Sequence, residues 1–253
     1  MATIKIADLK DVLVASRKVH EESAHQPWWR GHGREDWNLL PHVHRLSREK
    51  GPFYEANIAN KFAKFAPTRH ARCPPAGDLA RWLFLMQHYG LPTRLLDWTE
   101  SPLLAVYFAV WEDAHLTMPG ALWAFDPYAL NDQVVQEPGL LQPRHPVANA
   151  LVEDAYALVS EFDQRVVALL SEEIDERMMV QMSGFTIHGL GKPLNQRPEC
   201  DAVLRKFVIL PEHKEHLREQ LASIGIRERN VFPDLTHLAA DLKRDRYAEQ
   251  GID

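Results

Sequence analysis

Apolar residues recur at helical spacing through the first part of the chain. Over residues 7–20, Leu9, Val12, Leu13 and Ser16 fall on one stripe, and over 53–66 Ile58, Phe62 and Phe65 do the same. Pro67 and the run Pro74-Pro75-Ala76-Gly77 then break the pattern. Asp78 is placed to N-cap a third helix, whose stripe is Leu79, Trp82, Leu83 and Met86. Gly90 suits the left-handed position beyond that helix, and Pro92 prevents its resumption. Residues 93–98 read as a short strand. Ser101 followed by Pro102 is a helix start, and residues 103–111 are apolar on nearly every side, which predicts a central buried helix.

Beyond Pro119-Gly120 the pattern turns to short apolar runs. Residues 121–125 form one strand candidate, stopped at Asp126-Pro127. Residues 131–160 hold Pro138, Pro143 and Pro146 and show no clear period before a helical stretch at 149–159. Strands are expected at 166–170, at 184–188 (entered through a helical or turn segment at 172–182) and at 203–210, the last ended by Pro211. A helix over 212–224 with Leu217, Leu221 and Ile224 inward stops at Gly225. A last helix begins near Pro233-Asp234, with Leu235, Leu238, Ala239 and Leu242 on one face. Helices gather in the N-terminal half, and strands in the middle and C-terminal half. This is no regular βαβ alternation. It predicts one α+β domain, a helical N-terminal half packed on a mixed or antiparallel central sheet.

Composition narrows the picture modestly. At 253 residues the chain can bury a full core without staples. A net charge of −6 argues against a broad nucleic-acid surface but allows a local cationic grip. Two cysteines, Cys73 and Cys200, make no disulfide framework and lack metal-site spacing. With no signal-like N-terminus and no membrane-length apolar run, a cytoplasmic location is expected. His42 and His44, and His213 and His216, lack the cluster of a zinc site, so no metal is expected.

Three motifs carry candidate chemistry. In Trp28-Trp29-Arg30-Gly31-His32-Gly33, two aromatics precede an arginine that a half-buried strand delivers to a cleft, where it grips a phosphate, or to a structural carboxylate. Gly31 and Gly33 would let a ligand approach the backbone. Residues 86–99 pack Gln87, His88, Arg94, Asp97 and Thr99 around a helix end, a turn and a strand. They form either a ligand site or a brace in which Arg94 pairs with Asp97. In residues 177–185, Gln181 precedes a strand, where its amide can meet a polar ligand. The acidic run Glu172-Glu173 and Asp175-Glu176 reads as a solvated turn.

The blocks WWRGHGREDWNLLPHVHR, MQHYGLPTRLLDWTESPLLAVYFA, RMMVQMSGFTIH and VFPDLTHLA resemble the FRG domain family, across about residues 20–240. That family is named for an aromatic-Arg-Gly motif, matched at Trp29-Arg30-Gly31. The resemblance implies a bacterial or phage setting, with roles in phage defence or toxicity. The motif order is also similar, more remotely, to ADP-ribosyltransferases of the Arg–Ser–Glu type, which implies a fold of that kind with NAD as substrate. On that similarity Arg30 and Gly31 would contact NAD, and Asp97-Trp98-Thr99 would match the hydroxyl-rich strand end before a helix. Gln181 falls where the group carries its glutamate. His88, Arg94, Trp98 and Tyr107 would complete the NAD site, with Trp98 or Tyr107 stacking on nicotinamide. Because Gln181 is no carboxylate, either Asp97, Glu176 or another acid serves the bond-breaking step, or the domain binds NAD or a related nucleotide without turnover. The expectations are therefore an NAD-using ADP-ribosyltransferase-like effector with a macromolecular acceptor, or a non-catalytic nucleotide or protein sensor. A nuclease ranks last.

Overall fold

The computed structural model describes residues 4–137, 139–158, 163–170 and 179–244. Seven strands form one sheet: β1 (Ile4–Ile6), β2 (Trp28–His32), β3 (Leu95–Thr99), β4 (Gly120–Phe125), β5 (Val166–Leu169), β6 (Ser183–His188) and β7 (Leu204–Ile209). Their spatial order is β1-β7-β4-β2-β3-β6-β5; β1 lies parallel to β7 and every other pair is antiparallel. The helices that pack on this sheet include α1 (Leu9–Glu22), α2 (His42–Lys50), α3 (Tyr54–Phe65), α4 (Leu79–His88), α5 (Pro102–Val110), α6 (Pro127–Val135) and α7 (Pro146–Asp154). The result is an α+β domain with N-terminal helices on a mixed, largely antiparallel sheet. Among the described residues no helix is long and apolar enough to cross a membrane.

Local signals placed most helix starts. The Asp78 carboxylate accepts from Arg81 N–H, the Ser101 hydroxyl from Leu104 N–H, and Gly90 takes φ +74°. In the stretch without a clear period, Asp126 caps α6 by accepting from Tyr128 and Ala129 N–H, and Pro146 opens α7. Helix α2 was not expected, because its sequence HVHRLSREK offers almost no apolar stripe.

Several inward faces differ from the expectation. On α1 the buried residues are Val12, Ala15 and Val19, while Leu13 is 60% exposed. On α3 Phe65 is exposed and the buried face is Glu55, Ala56 and Ala59, because Glu55 must reach a buried arginine. Ile224 lies outside the helix Pro211–Ser223 and is exposed. On the last helix, Leu235–Arg244, the leucines face outward, Leu235 at 82% exposure. Its contacts include His237, stacked on Phe232, and Asp241, paired with Arg229 at 3.2 Å. Residues 171–178, including the acidic run, Glu176 and Arg177, lie outside the described residues.

One face of the sheet carries a continuous core in which Trp28, Trp98, Trp123 and Phe125 meet, with Trp98 and Phe125 ring centroids 4.4 Å apart. The other face carries two separate cores. One joins Trp29, Leu122 and Phe207 to α1, α5 and the helix Pro211–Ser223; the other joins Leu95, Val167 and Phe185 to α4 and α7. The gap between these two cores is where the sheet forks.

Candidate functional site

β2 and β3 pair at one position only, Trp29 opposite Thr99. Each is fully paired with its outer neighbour, β4 or β6. The two central strands therefore diverge from Trp29 and Thr99, and a cleft of about 420 Å³ opens in the fork. Unpaired strand groups in such a fork need other partners. Arg30 supplies one: its Nη1 donates to the Asp97 carbonyl at 2.5 Å and lies 3.7 Å from the Asp97 carboxylate.

The Arg30 Nε donates to His32 Nε2 at 3.1 Å, which requires a neutral imidazole. Burial, then the Arg30 charge, pushes the His32 pKa down to about 3, so the ring stays neutral. Burial also pulls the Arg30 guanidinium below its ordinary value, with Asp97 opposing. The Arg30 Nη2 has no hydrogen-bond partner among the described residues and remains available.

The Asp97 carboxylate is set by a short relay. Gln87 Nε2 donates to Asp97 Oδ2 at 2.8 Å, Thr93 Oγ1 donates to Gln87 Oε1 at 2.5 Å, and Leu95 N–H donates to Thr93 Oγ1. The Thr99 hydroxyl donates to the Gln181 carbonyl at 2.6 Å and accepts from Ser101 N–H, which joins β3 to the segment before β6 and to the start of α5. The Gln181 amide donates to the Val231 carbonyl at 3.2 Å.

Of the residues singled out from sequence, Arg30, Gly31, Asp97, Trp98, Thr99 and Gln181 line the cleft. His88, Arg94 and Tyr107 do not. Arg94 is buried in an ion pair with Glu55, Nη2 to Oε2 2.7 Å, rather than with Asp97. Tyr107 sits in the α5 core. Trp98 is buried on the continuous face, its indole N–H donating to Thr186 Oγ1 at 3.0 Å. The glycines give no room to a ligand: a Cβ on Gly31 would lie 1.8 Å from the Ala105 carbonyl oxygen of α5, and one on Gly33 2.9 Å from the His115 ring.

Other lining residues went unnoticed in the sequence. Trp37 is 36% exposed and stands edge-on to both His32 and His115. Trp111 and Glu112 follow α5, and Glu112 pairs with His115 at 3.0 Å. Arg45 lines the cleft with no ion partner among the described residues, and its charge helps hold down the Arg30, His32 and His42 pKa values. Its place in a polar helix gave no periodic signal. No group of three His, Cys, Asp or Glu able to hold a metal occurs among the described residues.

Buried Lys214 ties the cleft rim together: its Nζ donates to the Gly33 and His115 carbonyls, both at 2.7 Å. A neutral amine has two hydrogens for these two acceptors, and burial pushes its pKa down to about 8. Between pH 8 and the ordinary lysine value the unfolded chain holds one more proton, so stability rises with pH across that window, by roughly 3 kcal/mol in total. Urea unfolding of the wild type against Lys214→Met is expected to show that rise in the wild type alone. Parallel pH profiles would refute it.

Neither the comparison with curated proteins nor that with solved structures finds a match. A family model does match, that of the FRG domain, over residues 25–117. Every lining residue of the cleft except Gln181 and Ser183 falls inside that span. Residues 25–117 match the FRG domain, and this stretch builds most of the forked cleft.

Proposed function

We propose that the cleft binds NAD and breaks its nicotinamide–ribose bond, passing ADP-ribose to water or to a macromolecular acceptor, in the manner of an ADP-ribosyltransferase. One observation carries this reading: an arginine whose Nη2 has no partner among the described residues and a carboxylate held by its neighbours converge in one fork of the sheet. Arg30, with Arg45, suits a pyrophosphate. Trp37 and Trp111 offer aromatic surface to a base or nicotinamide ring. The Asp97 carboxylate faces the positive charge that develops on ribose as the C1′–N bond breaks. The bonding pair leaves with nicotinamide, the acceptor atom bonds C1′, and the acceptor's proton passes to solvent. A toxin or phage-defence effector is the setting this activity would suit.

A second reading, a non-catalytic nucleotide sensor, is favoured by Gln181, which is neutral and tied to Val231. Nicotinamide release and thermal stability, measured with NAD, separate the two. The enzyme reading expects release by the wild type. It expects a loss of about 10²–10³-fold in Asp97→Asn with binding retained, and loss of binding in Arg30→Ala. Stabilisation by NAD without release supports the sensor. Neither release nor stabilisation defeats both.

A further inference from the structure

Charge is distributed unevenly along this chain. Residues 42–77 hold seven Lys and Arg against two Glu, a local excess of +5 in a chain of net charge −6. All seven basic residues are exposed, and none pairs with an acid among the described residues. Arginines on other elements do pair: Arg34 with Asp36, Arg205 with Glu22 and Arg218 with Asp113. Of the two acids within 42–77, Glu55 is buried against Arg94, and only Glu49 is exposed.

Packing sorts these cations onto the outer side of α3 and the segment after it. Ala59, Phe62 and Ala66 lie against Trp82 and Met86 of α4. That contact turns Lys61, Lys64 and Phe65 outward, spaced i, i+3 and i+4 on one face. Arg69 folds back beside Phe65, its Nη1 donating to the Phe65 carbonyl at 3.0 Å. Next to it, His70 meets Tyr89 edge-on, with Nδ1 3.3 Å from the tyrosine hydroxyl. Lys64 stands over the Phe65 ring at 5.6 Å, and at the other end of α3 Lys50 stands over Tyr54 at 5.1 Å. Phe65 and Tyr89 are both more than half exposed. Single exposed rings are ordinary on a protein surface. Rings set among cations that lack acid partners combine charge for phosphates with flat apolar faces for bases.

We propose that the outer face of α3, with residues 69–72 and Tyr89, binds single-stranded nucleic acid. Lys61, Lys64, Arg69 and Arg72 neutralise phosphates, and Phe65 and Tyr89 stack on bases. A duplex keeps its bases stacked on one another and can use only the cations. The acidic remainder of the chain repels the strand and confines it to this face. Phe65 is the one apolar residue among the exposed positions of α3, too little to enter a lipid surface. Binding here does not depend on what the forked cleft holds.

Fluorescence anisotropy of a labelled oligo(dT) of about 15 residues, titrated with the full chain, tests the proposal. Four phosphate contacts are expected to weaken binding on the order of 50-fold between about 50 and 200 mM salt. Lys61→Gln combined with Lys64→Gln is expected to weaken it about tenfold and to halve the salt dependence. Phe65→Ala and Tyr89→Ala are each expected to cost at least about fivefold with the salt dependence kept. Arg17→Gln, at an exposed position on α1, is expected to change nothing. All these side chains are exposed, and an unaltered thermal midpoint shows that each variant folds. No binding at the lower salt, an unaltered titration of the double lysine variant, or full affinity in both ring variants would each overturn the proposal. So would a duplex of equal length, polyphosphate or phosphatidylserine vesicles binding as tightly as oligo(dT), because none of these offers unstacked bases.

Discussion

Arg94→Met is expected to lower the free energy of unfolding by about 3–5 kcal/mol. The guanidinium donates twice through Nε and once through Nη2 to the Glu55 carboxylate, and its Nη1 donates to the Leu151 carbonyl at 3.0 Å. Both side chains are nearly inaccessible to solvent. Methionine matches the length of the arginine stem but leaves Glu55 as a buried charge with no counter-ion. The size of the loss comes from that stranded carboxylate rather than from the net worth of the pair. Arg94→Met combined with Glu55→Leu is therefore expected to recover most of the stability, since a buried ion pair replaced by apolar groups is often nearly neutral. Urea unfolding of the two single variants and the double variant checks this. A double variant as unstable as the sum of its singles would contradict the account.

The same pair has a pH signature. Burial raises the Glu55 pKa above its ordinary value, and Arg94 only partly opposes this. The folded state then binds the Glu55 proton more tightly than the unfolded chain. This contribution to stability is complete below the ordinary glutamate value and is lost as pH rises through the folded value. Removing Arg94 raises the folded value further, so in Arg94→Met the loss extends to higher pH.

Gly31→Ala is expected to cost about 3 kcal/mol or more, at the upper end of overpacking. The added Cβ would lie 1.8 Å from the Ala105 oxygen, 2.7 Å from the Ala109 nitrogen and 2.9 Å from the Ala105 carbonyl carbon. All three are backbone atoms of α5, so no side-chain rotation relieves the clash and the helix itself must shift. α5 rests on β2 beside Arg30, and its N-terminus is tied to Thr99, so the cleft shifts with it. Gly77→Ala is the control: nothing lies within 4 Å of its added Cβ, and its cost is expected to stay within about 0.5 kcal/mol. If the two substitutions unfold at the same urea concentration, the close seat of α5 on Gly31 is not what that position requires.

The sequence by itself determined the parts of this protein that depend on neighbours along the chain. The caps at Asp78 and Ser101, the turn at Gly90, the stop at Pro211 and the buried character of α5 were readable because each rests on contacts within a turn or two. The α+β class followed from the same local signals. It also located two motifs, Trp29-Arg30-Gly31 and Asp97-Trp98-Thr99, that line the cleft. The tertiary structure decided what those motifs touch. Arg30 and Asp97 are 67 positions apart and Arg94 and Glu55 are 39 apart, so no spacing rule could assign the partners. A buried arginine and a cleft arginine look alike in sequence; only packing separated Arg94 from Arg30. The role of Gly31 also turned on a distant element, since the space beside it is filled by α5 rather than left for a ligand. Arg45, on a polar helix without an apolar stripe, became visible only once the fork between β2 and β3 had placed it at the cleft.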